Sequence, residues 1–277
     1  MSDFELKAAF AARYGRPDPE NLAPLAGNER HVQILSRRSC RRFQNLEVPD
    51  ALLATLAACA QSAPSKSDLQ QFSIVLIDSA ETRQDFLALP TIPDWAATAP
   101  CILVFCADTH RTREIGKHHG HAYDCNTVDS LVNATGDAAI ALSAFILAAE
   151  ANGLGTCPLS VVRNHIQEVT DLLGLPEGVF PFCGLCLGWP AESRPVSVRW
   201  PLKSILHRDR YKAGLEPGAI QDYDARRPRI REANQLHKER FGSSDTIPWS
   251  EQVARREAVR ERPGFRAYLD RQGFDLD

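Results

Sequence analysis

Residues 37–43 read Arg37-Arg38-Ser39-Cys40-Arg41-Arg42-Phe43, and residues 62–70 read Ser62-Ala63-Pro64-Ser65-Lys66-Ser67-Asp68-Leu69-Gln70. The first segment crowds guanidiniums around a hydroxyl. A phosphate monoester carries roughly two negative charges at neutral pH and accepts several hydrogen bonds, so such a cluster makes a suitable cradle for one. Taken alone, an arginine-rich turn before a helix also fits a solvated, charged face. The second segment supplies short polar side chains and backbone groups at a helix-to-strand turn.

Between the two segments, Pro49-Asp50 starts a helix with Leu52, Leu56, Cys59 and Ala63 on one stripe, and Pro64 ends it. Residues 72–77, 101–106 and 181–188 read as strands, each bounded by Pro, Gly or Asp. Between the last two lies a long helix, residues 129–152. Its stretch 138–149 is apolar on nearly every face, with only Ser143 polar, the mark of a buried helix such as a dimer axis. Gly153-Leu154-Gly155 stops it. A shorter helix starts at Asn164, with Gln167 placed as in a capping box, and closes at Gly174-Leu175-Pro176.

Composition bounds the function. The chain has 277 residues, 44% of them hydrophobic, enough for a sizeable core. A net charge of −3 and the lack of a basic stripe interleaved with aromatics argue against a nucleic-acid partner. No continuous apolar run reaches the roughly 18 to 20 residues of a membrane span, and residues 1–16 are amphipathic with mixed charge, so a cytoplasmic protein with no membrane partner is expected. Of eight cysteines, Cys59, Cys101, Cys106, Cys183 and Cys186 lie in apolar runs and read as reduced, buried thiols. Cys183 and Cys186 have the spacing of a redox pair, but residues three apart on a strand face opposite sides. His110, His118, His119, His121 and Cys125 crowd one stretch whose spacing matches no structural zinc pattern; it reads as a polar lid, with a zinc or copper site as the alternative. No metal ligand is assigned.

Three blocks follow along the chain. Residues 1–30 are a charged leader with Pro17, Pro19 and Pro24, expected to pack on the surface of the core and carrying no recognisable chemistry. Residues 31–211 hold the core elements. Residues 212–277 are rich in Arg and Glu, with Glu251 four residues before Arg255 as an exposed helical pair. Their apolar residues Trp249, Phe265, Tyr268, Leu269 and Phe274 are too few for a separate core and must dock on the main body or on a partner subunit.

The two opening segments, with the helix between them, resemble the opening signature of the nitroreductase family. Further motifs resemble its NADPH-dependent, oxygen-insensitive nitroreductase and flavin reductase branch. These are residues 182–191 (FCGLCLGWPA), their continuation through Arg199, Pro201 and Tyr211, Gly153-Leu154-Gly155 with Arg163-Asn164, and the tail from Trp249-Ser250 to Gln272-Gly273. The resemblance implies an α+β fold with a central, mostly antiparallel sheet flanked by helices, in an intertwined homodimer that binds FMN at its interface. It implies that the 212–277 extension wraps the partner subunit. Residue by residue, it implies that Arg37, Arg38, Ser39 and Arg41, joined by Arg199, meet the FMN phosphate side. Pro64, Ser65, Ser67 and Gln70 would contact the ribityl chain and flavin, and the loop Pro158-Leu159-Ser160-Val161 would lie along the ring toward N5. NADPH or NADH would be the electron donor, with Lys238 and Arg240 at a nicotinamide 2′-phosphate.

The implied activity is NAD(P)H-dependent reduction of a small-molecule acceptor, a nitroaromatic, quinone or flavin, by ping-pong kinetics. No catalytic side chain is assigned, because the chemistry is centred on the flavin. Two alternatives stand beside it: an FMN enzyme of the same fold dedicated to dehalogenating or dehydrogenating one metabolite, and a non-catalytic flavin- or metal-binding protein. The chain departs from the branch pattern at Ser160-Val161, where paired glycines are usual. It departs again at Ser197, which stands for a lysine whose charge Lys66 or Arg194 would have to supply.

Overall fold

The computed structural model describes residues 3–15 and 28–276. In chain order the helices are α1 (Asp3–Tyr14), α2 (Asn28–Ser36), α3 (Asp50–Gln61), α4 (Ala80–Ala88), α5 (His110–His118), α6 (Val128–Ala151), α7 (Ile166–Leu172), α8 (Ala219–Ala225), α9 (Lys238–Phe241), α10 (Trp249–Glu257) and α11 (Phe265–Arg271). The strands are β1 (Phe72–Leu76), β2 (Cys101–Asp108), β3 (Gly155–Leu159), β4 (Val179–Gly188), β5 (Ile230–Arg231) and β6 (Thr246–Ile247). Contacts divide the chain into two compact units, one of residues 1–38 with 195–261 and one of residues 39–194 with 262–277. The cuts differ from the composition blocks, which break after residues 30 and 211. Pro17, Pro19 and Pro24 lie outside the described residues.

The larger unit is built on an antiparallel sheet of order β1-β2-β4-β3. Strand β2 is buried along its whole length, and the side-chain period of two sorts it between two cores. Cys101, Leu103, Phe105 and Ala107 join a cluster with α3, α6 and α11, while Ile102, Val104 and Cys106 join one with Phe86 of α4 and Val169 of α7. Cys183 belongs to the first cluster and Cys186 to the second, so these thiols sit on opposite faces of β4. Burial pushes the Cys183 thiol up to about 11 and the Cys106 thiol up to about 12.

Strand β3 was not expected, because Gly155-Thr-Cys-Pro158-Leu carries a glycine and a proline. Its place at the sheet edge explains both. An edge strand tolerates proline, and pairing with β4 supplies the ladder that local propensity lacks. On the other side of β3, Cys40 N–H donates to the Thr156 carbonyl at 2.8 Å and Ser39 forms a parallel bridge with Thr156. The backbones come so close that a Cβ on Gly155 would lie 2.7 Å from the Cys40 Cβ.

Helix α3 buries Leu56 of the expected stripe and packs Leu52 against the same cluster, but its second half departs: Ala60 is buried where Cys59 was expected, Cys59 is exposed, and Ala63 lies past the end at Gln61. The capping box is also absent. A 3-10 turn occupies Ser160–His165, α7 starts at Ile166, the Asn164 side chain accepts from Arg262 Nε at 2.8 Å, and Gln167 donates to Asp171.

Helix α6 ends in a Schellman cap, with Gly153 at φ +79°, Gly153 N–H on the Glu150 carbonyl and Leu154 N–H on the Ala149 carbonyl. Over its most apolar 18-residue window α6 has a mean hydropathy of 1.6, long and apolar enough to cross a membrane. Its apolar residues form no unbroken run in the sequence, because Asn133, Asp137 and Ser143 interrupt them. Ala134, Ala138, Ala141, Phe145 and Ala149 of this helix pack in the first core cluster.

In the smaller unit α1 packs against α2, and Trp200, Tyr223 and Trp249 form an aromatic group with Trp200 stacked on Tyr223 at 4.3 Å. Glu251 and Arg255 pair at 2.8 Å as the helical spacing predicts, but the arginine is buried rather than exposed. Its guanidinium turns inward to donate to the Gly242 carbonyl at 2.7 Å. In the larger unit Tyr268, Leu269 and Phe274 dock in the first core cluster, with Phe265 packed against it.

Candidate functional site

The turn after α3 carries unusual backbone. Ser67, Asp68 and Gln70 hold φ of +51°, +58° and +51°, a region L side chains rarely enter and one that costs roughly 1–3 kcal/mol per residue. Such a turn needs an outside brace, and Asp137 of α6 is that brace. One carboxylate oxygen accepts from Lys66 N–H at 2.8 Å and the other from Gln71 N–H at 2.9 Å, with the side chain buried. Arg111 also donates to the Gln70 carbonyl at 2.7 Å and to the Phe72 carbonyl at 3.3 Å. The side chains add Gln61 to Gln70 at 2.6 Å, Gln70 to Asp68 at 2.9 Å and Lys66 to the Ser67 hydroxyl at 3.0 Å. Pro64 and Ser67 are exposed, Ser65 and Gln70 half-buried. Gln71 is buried, and its Oε1 has no donor among the described residues.

Pro158 and Leu159 are the last residues of β3 rather than loop, and Ser160 begins the 3-10 turn. Arg262, at φ +53°, bonds Asn164 and reaches the Ser160 carbonyl at 3.5 Å. Ser39 is half-buried beside β3, and Arg41 is exposed.

In the smaller unit Arg37, Arg38 and Arg199 gather around Arg13, which lies in the leader. Arg13 is 6% exposed, and its hydrogen bonds go to backbone carbonyls: Nε to Leu35 and Nη1 to Ser197, each at 2.8 Å, and Nη2 to Arg37. The Arg13 carbonyl accepts from Arg199 N–H at 2.8 Å. Burial lowers the Arg13 pKa, and the charges of Arg199, Arg37 and Arg38 lower it further. Four like charges are thus held near one another.

The remaining candidates are more dispersed. Lys238 and Arg240 lie exposed on the short α9, and Arg240 donates to the Ala258 carbonyl at 3.0 Å. Arg194, one substitute for the charge missing at Ser197, pairs with Glu192 at 2.6 Å. His110 and His118 bound α5, and among the described residues no three His, Cys, Asp or Glu side chains converge as a metal site requires.

Residues 34–189 match the nitroreductase family model, and residues 197–277 match the model of the nitroreductase family, C-terminal domain. The chain belongs to the nitroreductase family. This nitroreductase-family chain is 31% identical to the FMN reductase [NAD(P)H] of Bacillus subtilis (strain 168), over 90% of its own length and 99% of the relative's. It is 30% identical to the oxygen-insensitive NADPH nitroreductase of Salmonella typhimurium, over 87% and 96%. Among solved structures it superposes on B. megaterium NfrA2 with a TM-score of 0.80 at 33% identity, over 90% and 99% of the two chains. The NADPH:FMN oxidoreductase from Vibrio harveyi complexed with NAD+ gives a TM-score of 0.75 at 29% identity, over 88% and 96%.

The sequence motifs single out the turn residues with Arg37, Arg38 and Arg199, but not Asp137, Arg111 or Arg13, whose hydrogen bonds hold those segments. Asp137 stands immediately before the apolar stretch 138–149 of α6. An acid at the edge of such a stretch is itself a signal, since a buried carboxylate must find donors. Arg13 sits outside both matched segments and had no motif to mark it.

Proposed function

We propose that this chain is an FMN-dependent oxidoreductase that draws electrons from NADPH or NADH and delivers them to a nitroaromatic, a quinone or a free flavin. The arginine cluster carries this reading: Arg37 and Arg38, far in sequence from Arg199, gather with it at buried Arg13, a charge pattern suited to a phosphate dianion. Ser39, Arg41, Pro64, Ser65, Ser67, Gln70, Pro158, Leu159 and Ser160 are the further proposed FMN contacts. The braced turn supports the fit, since strain held by a buried carboxylate fixes short polar groups in place. The orphaned Gln71 Oε1 adds an acceptor suited to a ring N–H.

When bound, FMN supplies the hydride chemistry that links donor to acceptor. The chain's part is to neutralise a phosphate with guanidiniums and to hold fixed dipoles along a polar ring edge. Donor and acceptor using one face in turn gives ping-pong kinetics. Lys238 and Arg240 are the proposed cations for a 2′-phosphate. The names of the relatives support donor and cofactor together: an FMN reductase using NAD(P)H, an NADPH nitroreductase and an NADPH:FMN oxidoreductase.

We also propose a cytoplasmic homodimer with FMN at its interface and the 212–277 extension reaching the neighbour. Val132 of α6 is 60% exposed, as are Leu206 at 68% and Tyr211 at 80%, apolar surface that a second copy would cover. The eight cysteines are unbridged, as in a reducing compartment. Purified protein is expected to be yellow, with about one FMN per chain, and to bleach anaerobically with NADPH or NADH. Colourless protein that ignores added FMN overturns the proposal; flavin that bleaches but reduces no nitroaromatic or quinone favours a dedicated metabolite instead.

A further inference from the structure

We propose that helix α1, which lies outside the family-matched segments, completes the phosphate end of the flavin site, with Arg13 as the positioning residue that sets Arg37 and Arg199 relative to each other. The proposal rests on the FMN reading and deepens it. One guanidinium reaches two strands of backbone at once: Leu35 and Arg37 at the exit of α2, and Ser197 in the segment that carries Arg199. The Arg13 carbonyl closes the arrangement by accepting the Arg199 N–H. Arg37 and Arg199 are therefore both tied at the backbone to one residue.

The end of α1 is fixed in turn. Arg226 donates to the Tyr14 carbonyl, and Phe10 stacks on Tyr14 at 6.0 Å. Stability alone is a poor explanation for this design. A buried cation whose hydrogen bonds go to neutral carbonyls, set beside three more arginines, is repelled by them, and an anion at that spot turns the repulsion into attraction. A lysine would keep the charge but not the fork that bonds three carbonyls.

The test uses the full-length chain freed of flavin and titrated with FMN and with riboflavin, which lacks the phosphate, followed by flavin fluorescence. Wild-type protein is expected to prefer FMN; if it binds neither ligand, the FMN reading itself fails, and Arg13 falls with it. Arg13→Lys and Arg13→Gln are expected to bind FMN about tenfold or more weakly while riboflavin affinity is unchanged. Equal losses for both ligands mark a merely structural role and overturn the proposal, as does FMN affinity equal to wild type. Should a variant not melt cooperatively, wild-type hydrogen exchange decides: FMN, and not riboflavin, should slow exchange of the Arg199 amide. Absence of that FMN-specific protection overturns the proposal.

Discussion

Asp137 shows how one residue can connect an apolar helix to a polar site. Both of its oxygens are used by backbone N–H groups of the strained turn. Asp137→Ala is expected to leave two donors unsatisfied, at about 1–3 kcal/mol each, and to weaken FMN binding as the turn relaxes. Asp137→Asn, which keeps one acceptor, should lose less; urea denaturation and flavin titration of the two variants would reverse this order if the brace is misassigned. The cysteines give a second residue-scale prediction. With six thiols buried and only Cys59 and Cys125 exposed, an aromatic disulfide reagent should label at most two thiols in the native protein and all eight after denaturation.

At the scale of elements, two glycines near the end of α6 are needed for different reasons. Gly153 takes a positive φ in open space, its nearest neighbour 3.9 Å from a built Cβ, so Gly153→Ala should cost about 1 kcal/mol from backbone strain alone. Gly155 has no such φ, but its Cβ would meet Cys40, so Gly155→Ala should cost about 1–3 kcal/mol from overpacking. Thermal melts of Gly155→Ala alone and combined with Cys40→Gly separate the two causes. Relief by the second change is expected, and its failure would point to backbone strain instead. Such contrasts also mark what was legible in the sequence. Short apolar runs bounded by Pro, Gly or Asp announced β1, β2 and β4, because strands buried in the sheet need such side chains. The edge strand β3 had no local signal, since its pairing comes entirely from β4 and from the chain at Ser39-Cys40.

For the whole molecule, burial sets a limit at high pH. Tyr268, in the core and bonded to Thr170 at 2.6 Å, is pushed by burial up to about 12 from 10, and Cys106 and Cys183 are pushed to about 12 and 11 from 9. These groups hold their protons longer folded than unfolded. Their contribution is therefore complete below pH 9 and is lost as the pH climbs from 9 toward 12. The melting temperature should fall across that window, and Cys106→Ala should make the fall shallower. A melting temperature that stays flat to pH 11 would contradict the assignment.

The α+β class came with the family resemblance, while local pattern alone specified three of the sheet's four strands, the long apolar helix and the arginine-bearing segments. Each of these local features depends on hydrophobic period or on side-chain chemistry carried within a short window. Only the tertiary structure decided that Arg13 belongs with Arg37, Arg38 and Arg199, that Asp137 braces residues 66–71, and that Gly155-to-Leu159 is a strand. Those depend on hydrogen bonds between residues distant in sequence, and no local pattern of polarity encodes which partner a buried donor or acceptor will find.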